Sequence, residues 1–121
     1  MIGYVTLGTN DLERAAKFYD ALAVELGVKR IMEWPGAIAW GDGTGPGLGV
    51  TRPFDGKAGS VGNGVMVALA AKDRAHVDRI YNLAMSLGGS DEGPPGDRGG
   101  GFYAGYFRDP DGNKLNAFFT G

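Results

Sequence analysis

Few kinds of side chain can do chemistry in this 121-residue chain, because it has no cysteine and a single histidine, His76. Thiolate nucleophiles, disulfides and cysteine-ligated zinc or iron–sulfur centres are excluded at once. A mononuclear metal enzyme usually draws on two or three imidazoles, so a metal here would have to rest on carboxylates or on a second subunit. Tyrosine, lysine, arginine and the carboxylates remain for acid–base work or ligand contacts. His76 is expected on the exposed flank of a helix, about 80° from the centre of the apolar stripe, and is a poor candidate base. Tyr4 and Tyr106 are candidate hydrogen-bond donors, and Lys114 is expected at a solvated rim, first after a turn. No acid–base pair stands out among them.

Bulk composition narrows the partners. Lys and Arg number 12 against 14 Asp and Glu, for a net charge of −2, so there is no basic field to condense on phosphate backbones or anionic lipid. Neither nucleic acid nor membrane is expected as a partner. The longest apolar run, residues 65–71, is too short to cross a bilayer, and the first residues lack a charged and apolar leader, which predicts a cytoplasmic protein. With 43% hydrophobic and 21% charged residues the chain should fold, and its length suits one domain over residues 1–121. The 23 glycines follow no period and call for a structural explanation.

The elements that would position these residues follow from periodicity. Val5 and Leu7 alternate with Tyr4 and Thr6 as a short strand, and Leu12, Ala15, Ala16, Tyr19, Leu22, Ala23 and Leu26 then fall at helical spacing. Asn10 is placed to cap this helix with Glu13 reaching back to it, and Gly27 to end it in the left-handed conformation. Strands are expected over residues 30–33, 37–40 and 47–51, separated by Gly- and Pro-rich turns. The order then returns: a strand over residues 65–70 and a helix from about Asp73, with Val77, Ile80, Tyr81, Ala84 and Leu87 on one face. A shift of 62 lays Tyr4 on Met66, Asp11 on Asp73 and Tyr19 on Tyr81, the mark of two modules in tandem. Module 1 would cover about residues 1–52, a linker 53–64, and module 2 about 65–121. Residues 90–101, with five glycines and two prolines, read as a loop that is either a lid or a plain crossing. A hairpin closes the chain, residues 102–108 and 114–119 around Asp109-Pro110-Asp111-Gly112-Asn113.

This repeat, the run Asn10-Asp11-Leu12-Glu13-Arg14-Ala15 with Phe18-Tyr19, and above all Phe107-Arg108-Asp109-Pro110-Asp111-Gly112-Asn113 resemble the vicinal oxygen chelate superfamily of glyoxalase, bleomycin-resistance and extradiol-dioxygenase proteins. The resemblance covers essentially the whole chain. It implies an α+β fold of two tandem βαβββ modules whose curved sheets form a cleft, with the helices on the outer face, and it implies a homodimer. Strand alternation then turns Val5, Leu7, Leu48, Val50, Val67, Leu69, Leu115, Ala117 and Phe119 toward the helices. The opposite face, lined by Gly and Ala between Tyr4, Met66 and Phe118, is expected to leave volume for a small organic ligand.

In metal-using members the resemblance places His and Glu ligands where this chain has Tyr4, Gly49, Met66 and Asn116. A phenol, a glycine, a thioether and an amide cannot offset the lost hydration of a divalent ion, so no metal or other cofactor is expected. The function expected is that of a metal-free small-molecule binding protein holding its ligand in the cleft between modules. Tyr4, Thr6, Gly49, Met66, Tyr106, Asn116 and Phe118 would contact the ligand, with Arg52, Arg98 and Arg108 as candidate charge contacts. The alternatives are a glyoxalase-like lyase or dioxygenase-like metalloenzyme with atypical ligands, or a non-binding dimeric scaffold. Whether any reaction is catalysed is not legible from these residues.

Overall fold

A computed structural model describes residues 1–121. The chain divides into two compact units, residues 1–61 and 62–121. In the first, β1 (Tyr4–Gly8) leads to α1 (Leu12–Leu26), followed by β2 (Lys29–Trp34), β3 (Ala37–Gly41) and β4 (Gly47–Thr51). In the second, β5 (Val67–Ala70) leads to α2 (Arg74–Ser86), β6 (Ser90–Asp97), β7 (Phe102–Arg108) and β8 (Lys114–Thr120). Each unit is therefore βαβββ. The sheets have the same order, β1-β4-β3-β2 and β5-β8-β7-β6, with the first strand parallel to the last and the remaining neighbours antiparallel.

In the first unit α1 buries Ala15, Ala16, Phe18, Tyr19, Leu22 and Ala23. Leu7, Ile38, Trp40 and Val50 are buried on the sheet, and the Tyr19 and Trp40 rings meet at 5.4 Å. The helix starts one residue later than the sequence suggests. Asp11, not Asn10, is the N-cap, its carboxylate accepting from Arg14 N at 3.0 Å. Asn10 is used otherwise: Oδ1 accepts from Gly59 N at 2.6 Å and Nδ2 donates to Gly59 O, tying the segment after β4 to the helix start. At the other end Gly27 adopts φ 73°, the left-handed turn that returns its N–H to Ala23 and Val24.

A polar brace crosses the edge of this unit. Asp20 accepts from Arg30 Nε at 2.9 Å and Nη2 at 2.7 Å and from Trp40 Nε1 at 2.9 Å, joining α1, β2 and β3. The hydrogen bond from Arg30 first, then that from Trp40, holds the Asp20 carboxyl below its ordinary range against the opposing effect of burial.

The second unit packs Val77, Ile80, Tyr81 and Ala84 of α2 on Phe107, Leu115 and Ala117, with Tyr81 edge-on to Phe107 at 6.4 Å. Tyr81 and Tyr103 send their hydroxyls to Asp91 and Asp78, each at 2.7 Å. Two expectations fail here. His76 is 3% exposed rather than solvated. It lies in the first turn of α2, where its N–H donates to the Asp73 cap at 2.7 Å and its ring Nδ1 accepts from Lys72 N at 3.0 Å. These bonds pair the buried ring and its N–H at the helix start. Most of residues 90–101 is not a loop: Ser90–Asp97 is a strand paired antiparallel to β7, and residues 98–101 form the turn between them. It is an edge strand with register shifts, the setting in which Pro94 and Pro95 are tolerated. It is held by the Tyr81–Asp91 bond and by the Arg74–Asp97 ion pair at 3.0 Å.

Between β7 and β8 the Asp109 carboxylate organises the turn. Oδ1 accepts from Asp111 N and Asn113 N, both at 2.9 Å, and Oδ2 accepts from Asn113 Nδ2 at 3.0 Å. Asp109 is 3% exposed, so its loss leaves buried donors unpaired. We expect Asp109→Ala to cost about 2–3 kcal/mol of unfolding free energy, read as a lower denaturant midpoint at unchanged slope. For Asp20, a depressed folded pKa means its contribution is complete above the ordinary carboxylate range and fades as pH falls through it. Asp20→Asn should therefore cost about 1 kcal/mol at pH 7, discounted for a half-exposed pair. In thermal melts the gap to wild type should narrow toward pH 3; a gap that widens with acid would contradict the assignment.

Candidate functional site

Each sheet has one face away from its helix, and strand register shows which residues share it. In the first unit Tyr4 stands opposite Gly47 and Thr6 opposite Gly49 across the β1–β4 pair. Tyr4 is 69% exposed. The glycines of β4 do not leave open volume, contrary to expectation. A Cβ at Gly47 would come within 3.3 Å of Ile31 Cδ1, and one at Gly49 within 3.3 Å of Thr6 Cγ2. Their space is taken by neighbouring side chains, Ile31 reaching over from β2 beside the bulge between Arg30 and Met32. This unit carries a groove of about 530 Å³ lined by Trp34, Pro35, Gly36, Ala37, Thr51, Arg52, Pro53 and Phe54. Arg52 was legible as a candidate; Trp34 and Phe54, both exposed aromatics, were not. Their only signal was an aromatic residue next to a turn proline.

The second unit gathers more of the expected residues. Asn116 lies between Ala68 on β5 and Tyr106 on β7, and Phe118 between Ala70 and Ala104. Met66 stands just ahead of β5, 40% exposed. On this face the residues of β8 read Lys114, Asn116, Phe118: a cation, an amide and an aromatic ring in successive steps of about 6.6 Å. Phe118 stacks on Phe102 at 5.8 Å and 20°. Lys114 is half-buried rather than at a solvated rim, its Nζ lying 5.6 Å from the centre of the Tyr106 ring. Arg98 Cζ lies 5.4 Å from the same ring.

Asn116 is the anomaly. It is 1% exposed, and its Oδ1 has no hydrogen-bond partner. An unpaired buried carbonyl costs about 1–3 kcal/mol, which folding alone gives no reason to retain. The charges around it are unbalanced too. Arg108 is engaged, with Nε on Glu92 at 2.6 Å and Nη1 donating to Gly112 O at 2.8 Å. The Arg98 guanidinium donates to the Pro94 carbonyl rather than to a carboxylate, and Lys114 makes no ion pair.

Residues 1–117 match the Glyoxalase/Bleomycin resistance protein/Dioxygenase superfamily. A solved glyoxalase/bleomycin resistance protein from Albidiferax ferrireducens T118 is 35% identical over 98% of both chains, with a TM-score of 0.90. A family enzyme from Burkholderia phytofirmans PsJN shares the fold at 16% identity, with 98% and 97% of the chains covered and a TM-score of 0.78. So does a glyoxalase-related enzyme from Fulvimarina pelagi, at 23% identity, 98% and 87% coverage and a TM-score of 0.78. No curated protein matches the chain. The chain belongs to the glyoxalase/bleomycin resistance/dioxygenase superfamily.

Family membership raises the question of a metal, and the donor set does not fit one. Tyr4, Gly49, Met66 and Asn116 offer a phenol, no side chain, a thioether and a neutral amide. No group of three or more His, Cys, Asp or Glu is arranged to hold an ion. Lys114 and Arg98 lean on Tyr106, across from Asn116, and neither is in an ion pair, which disfavours a further cation there. No reaction step through a metal follows from these residues. No helix is long and apolar enough to cross a membrane.

Because the Asn116 carbonyl is buried without a partner, replacing the side chain by an apolar one of similar size removes a penalty. We expect Asn116→Leu to raise stability by about 1 kcal/mol, seen as a higher urea midpoint. A loss of stability would show that the amide is structurally satisfied.

Proposed function

We propose that this chain is a metal-free small-molecule binding protein of the glyoxalase/bleomycin-resistance type. The observation that supports the reading best is the buried, unpartnered Asn116 Oδ1 on a face that also carries Tyr106 and Phe118. An unfilled acceptor flanked by rings is retained at a cost to stability, and a ligand donating to it would recover that cost. Tyr4, Thr6 and Gly49 on the helix-free face of the first unit and Met66 ahead of the second sheet are the further contacts of this reading. Arg52 belongs to it as a charge contact at the Trp34–Phe54 groove, whereas Arg108 is already engaged by Glu92.

A cytoplasmic homodimer completes the proposal. It is supported by β1 and β5, each an edge strand of its sheet with one side unpaired, a feature commonly covered by a symmetric partner. The metalloenzyme reading draws no support from the side chains at the family's ligand positions.

Thermal-shift screening of chelator-treated protein against a panel of small aromatic and polar compounds tests the proposal. The expected result is at least one compound that raises Tm in the absence of metal and loses its effect in Asn116→Leu. Shifts that appear only when zinc, nickel or iron is restored would overturn it in favour of the metalloenzyme. A panel without any shift would favour a scaffold.

A further inference from the structure

We propose that the ligand of the second unit is an aromatic acid: a carboxylate held by Lys114 and Arg98, a ring set against Phe118 and Phe102, and between them a hydroxyl or N–H donated to Asn116 Oδ1. This rests on the reading of that face as a binding site and adds the chemical class of what binds.

Three observations carry it. Lys114 and Arg98 both lie within 6 Å of the Tyr106 ring centre, at 5.6 and 5.4 Å, and neither is paired with a carboxylate. Two cations brought to one half-buried tyrosine, neither of them in an ion pair, form a local positive field that an anion relieves. Glu92 and Asp97 are ion-paired with Arg108 and Arg74, while Asp91 keeps its charge and accepts from the Tyr81 hydroxyl. Second, Asn116 sits directly across from Tyr106, next to that field, and its free atom is an acceptor, so the ligand must offer a donor there. Third, one step further along β8, Phe118 stacks with Phe102 and presents an apolar end.

Lys114, Asn116 and Phe118 alternate on one face of one strand, so charge, acceptor and ring form a line about 13 Å long. A ligand read by that line is anionic at one end, a donor in the middle and aromatic at the other. Where relatives would use a metal cation to hold a ligand's oxygens, the positive charge here is supplied by the chain itself.

Calorimetric titration with 3-phenyllactate, 3-phenylpropionate and 3-phenyllactamide separates the parts. 3-Phenyllactate has a carboxylate, a hydroxyl and a ring in that order, 3-phenylpropionate lacks the donor, and 3-phenyllactamide lacks the charge. The expected order places 3-phenyllactate about tenfold or more tighter than either, as the pairing of a buried acceptor and of a charged group implies. Lys114→Met and Arg98→Met should weaken the two carboxylates, leave the amide unchanged and flatten the salt dependence of carboxylate binding. Asn116→Leu should erase the preference for 3-phenyllactate over 3-phenylpropionate. Equal binding of amide and carboxylate, or an unchanged ratio in Lys114→Met and Arg98→Met, would overturn the assignment. If none of the three binds while a neutral compound does so in an Asn116-dependent way, the aromatic-acid inference falls and the binding reading stands. If no compound of any kind binds, both fall.

Discussion

The second unit is organised around the carboxylate of Asp109. Buried at the turn between β7 and β8, it collects two backbone N–H groups and the Asn113 amide. That arrangement fixes which residue of β8 stands opposite which residue of β7, and a slip of one residue would turn every side chain to the other face. In the register it sets, Phe107 meets Leu115 under α2 and Tyr106 meets Asn116 on the opposite face. One ion in a turn therefore decides both that Phe107 and Leu115 are core and that the Asn116 amide sits beside Tyr106. The other fixed points of the unit reinforce it. Arg108 reaches from the end of β7 to the Gly112 carbonyl within the turn and to Glu92 on β6.

The face so defined differs in sign from what the family relationship alone would suggest. A metal site concentrates carboxylates and imidazoles that an ion neutralises. Here the corresponding positions are neutral, and Tyr106, the residue across from Asn116, has a lysine and an arginine leaning on its ring. A fold that hosts many functions does not by itself fix the chemistry of its sites. In the first unit Ile31 and Thr6 lie close to the β4 glycines, and a groove lies by Trp34 and Phe54.

Much of this was legible in the sequence, for definite reasons. Gly47–Thr51 and Phe102–Arg108 were bounded correctly because alternation and turn residues agree at both ends. The Asn116–Tyr106 juxtaposition followed from the Asp-Pro-Asp-Gly-Asn turn. Strand β6 was hidden because Ser-Asp-Glu-Gly-Pro-Pro-Gly-Asp has almost no strand propensity and owes its conformation to pairing with β7. Its one signal was the repeat: the shift of 62 that aligns the first strands and helices also lays Lys29–Trp34 on residues 91–96. Asp11 caps α1 by accepting from Arg14 N, and the buried His76 ring accepts from Lys72 N, local hydrogen bonds that periodicity does not encode. The missing partner of Asn116 and the pairing of Arg108 are three-dimensional facts with no sequence pattern of their own.

The central claim is that positive charge on this face belongs to the protein and not to a bound ion. Calorimetric titration of the chelator-treated chain with Zn²⁺, Ni²⁺ and Fe²⁺ examines it most directly. The account predicts no stoichiometric binding at micromolar concentration, and the same flat trace for Asn116→Leu. One tightly bound ion per chain, lost on that substitution, would contradict it.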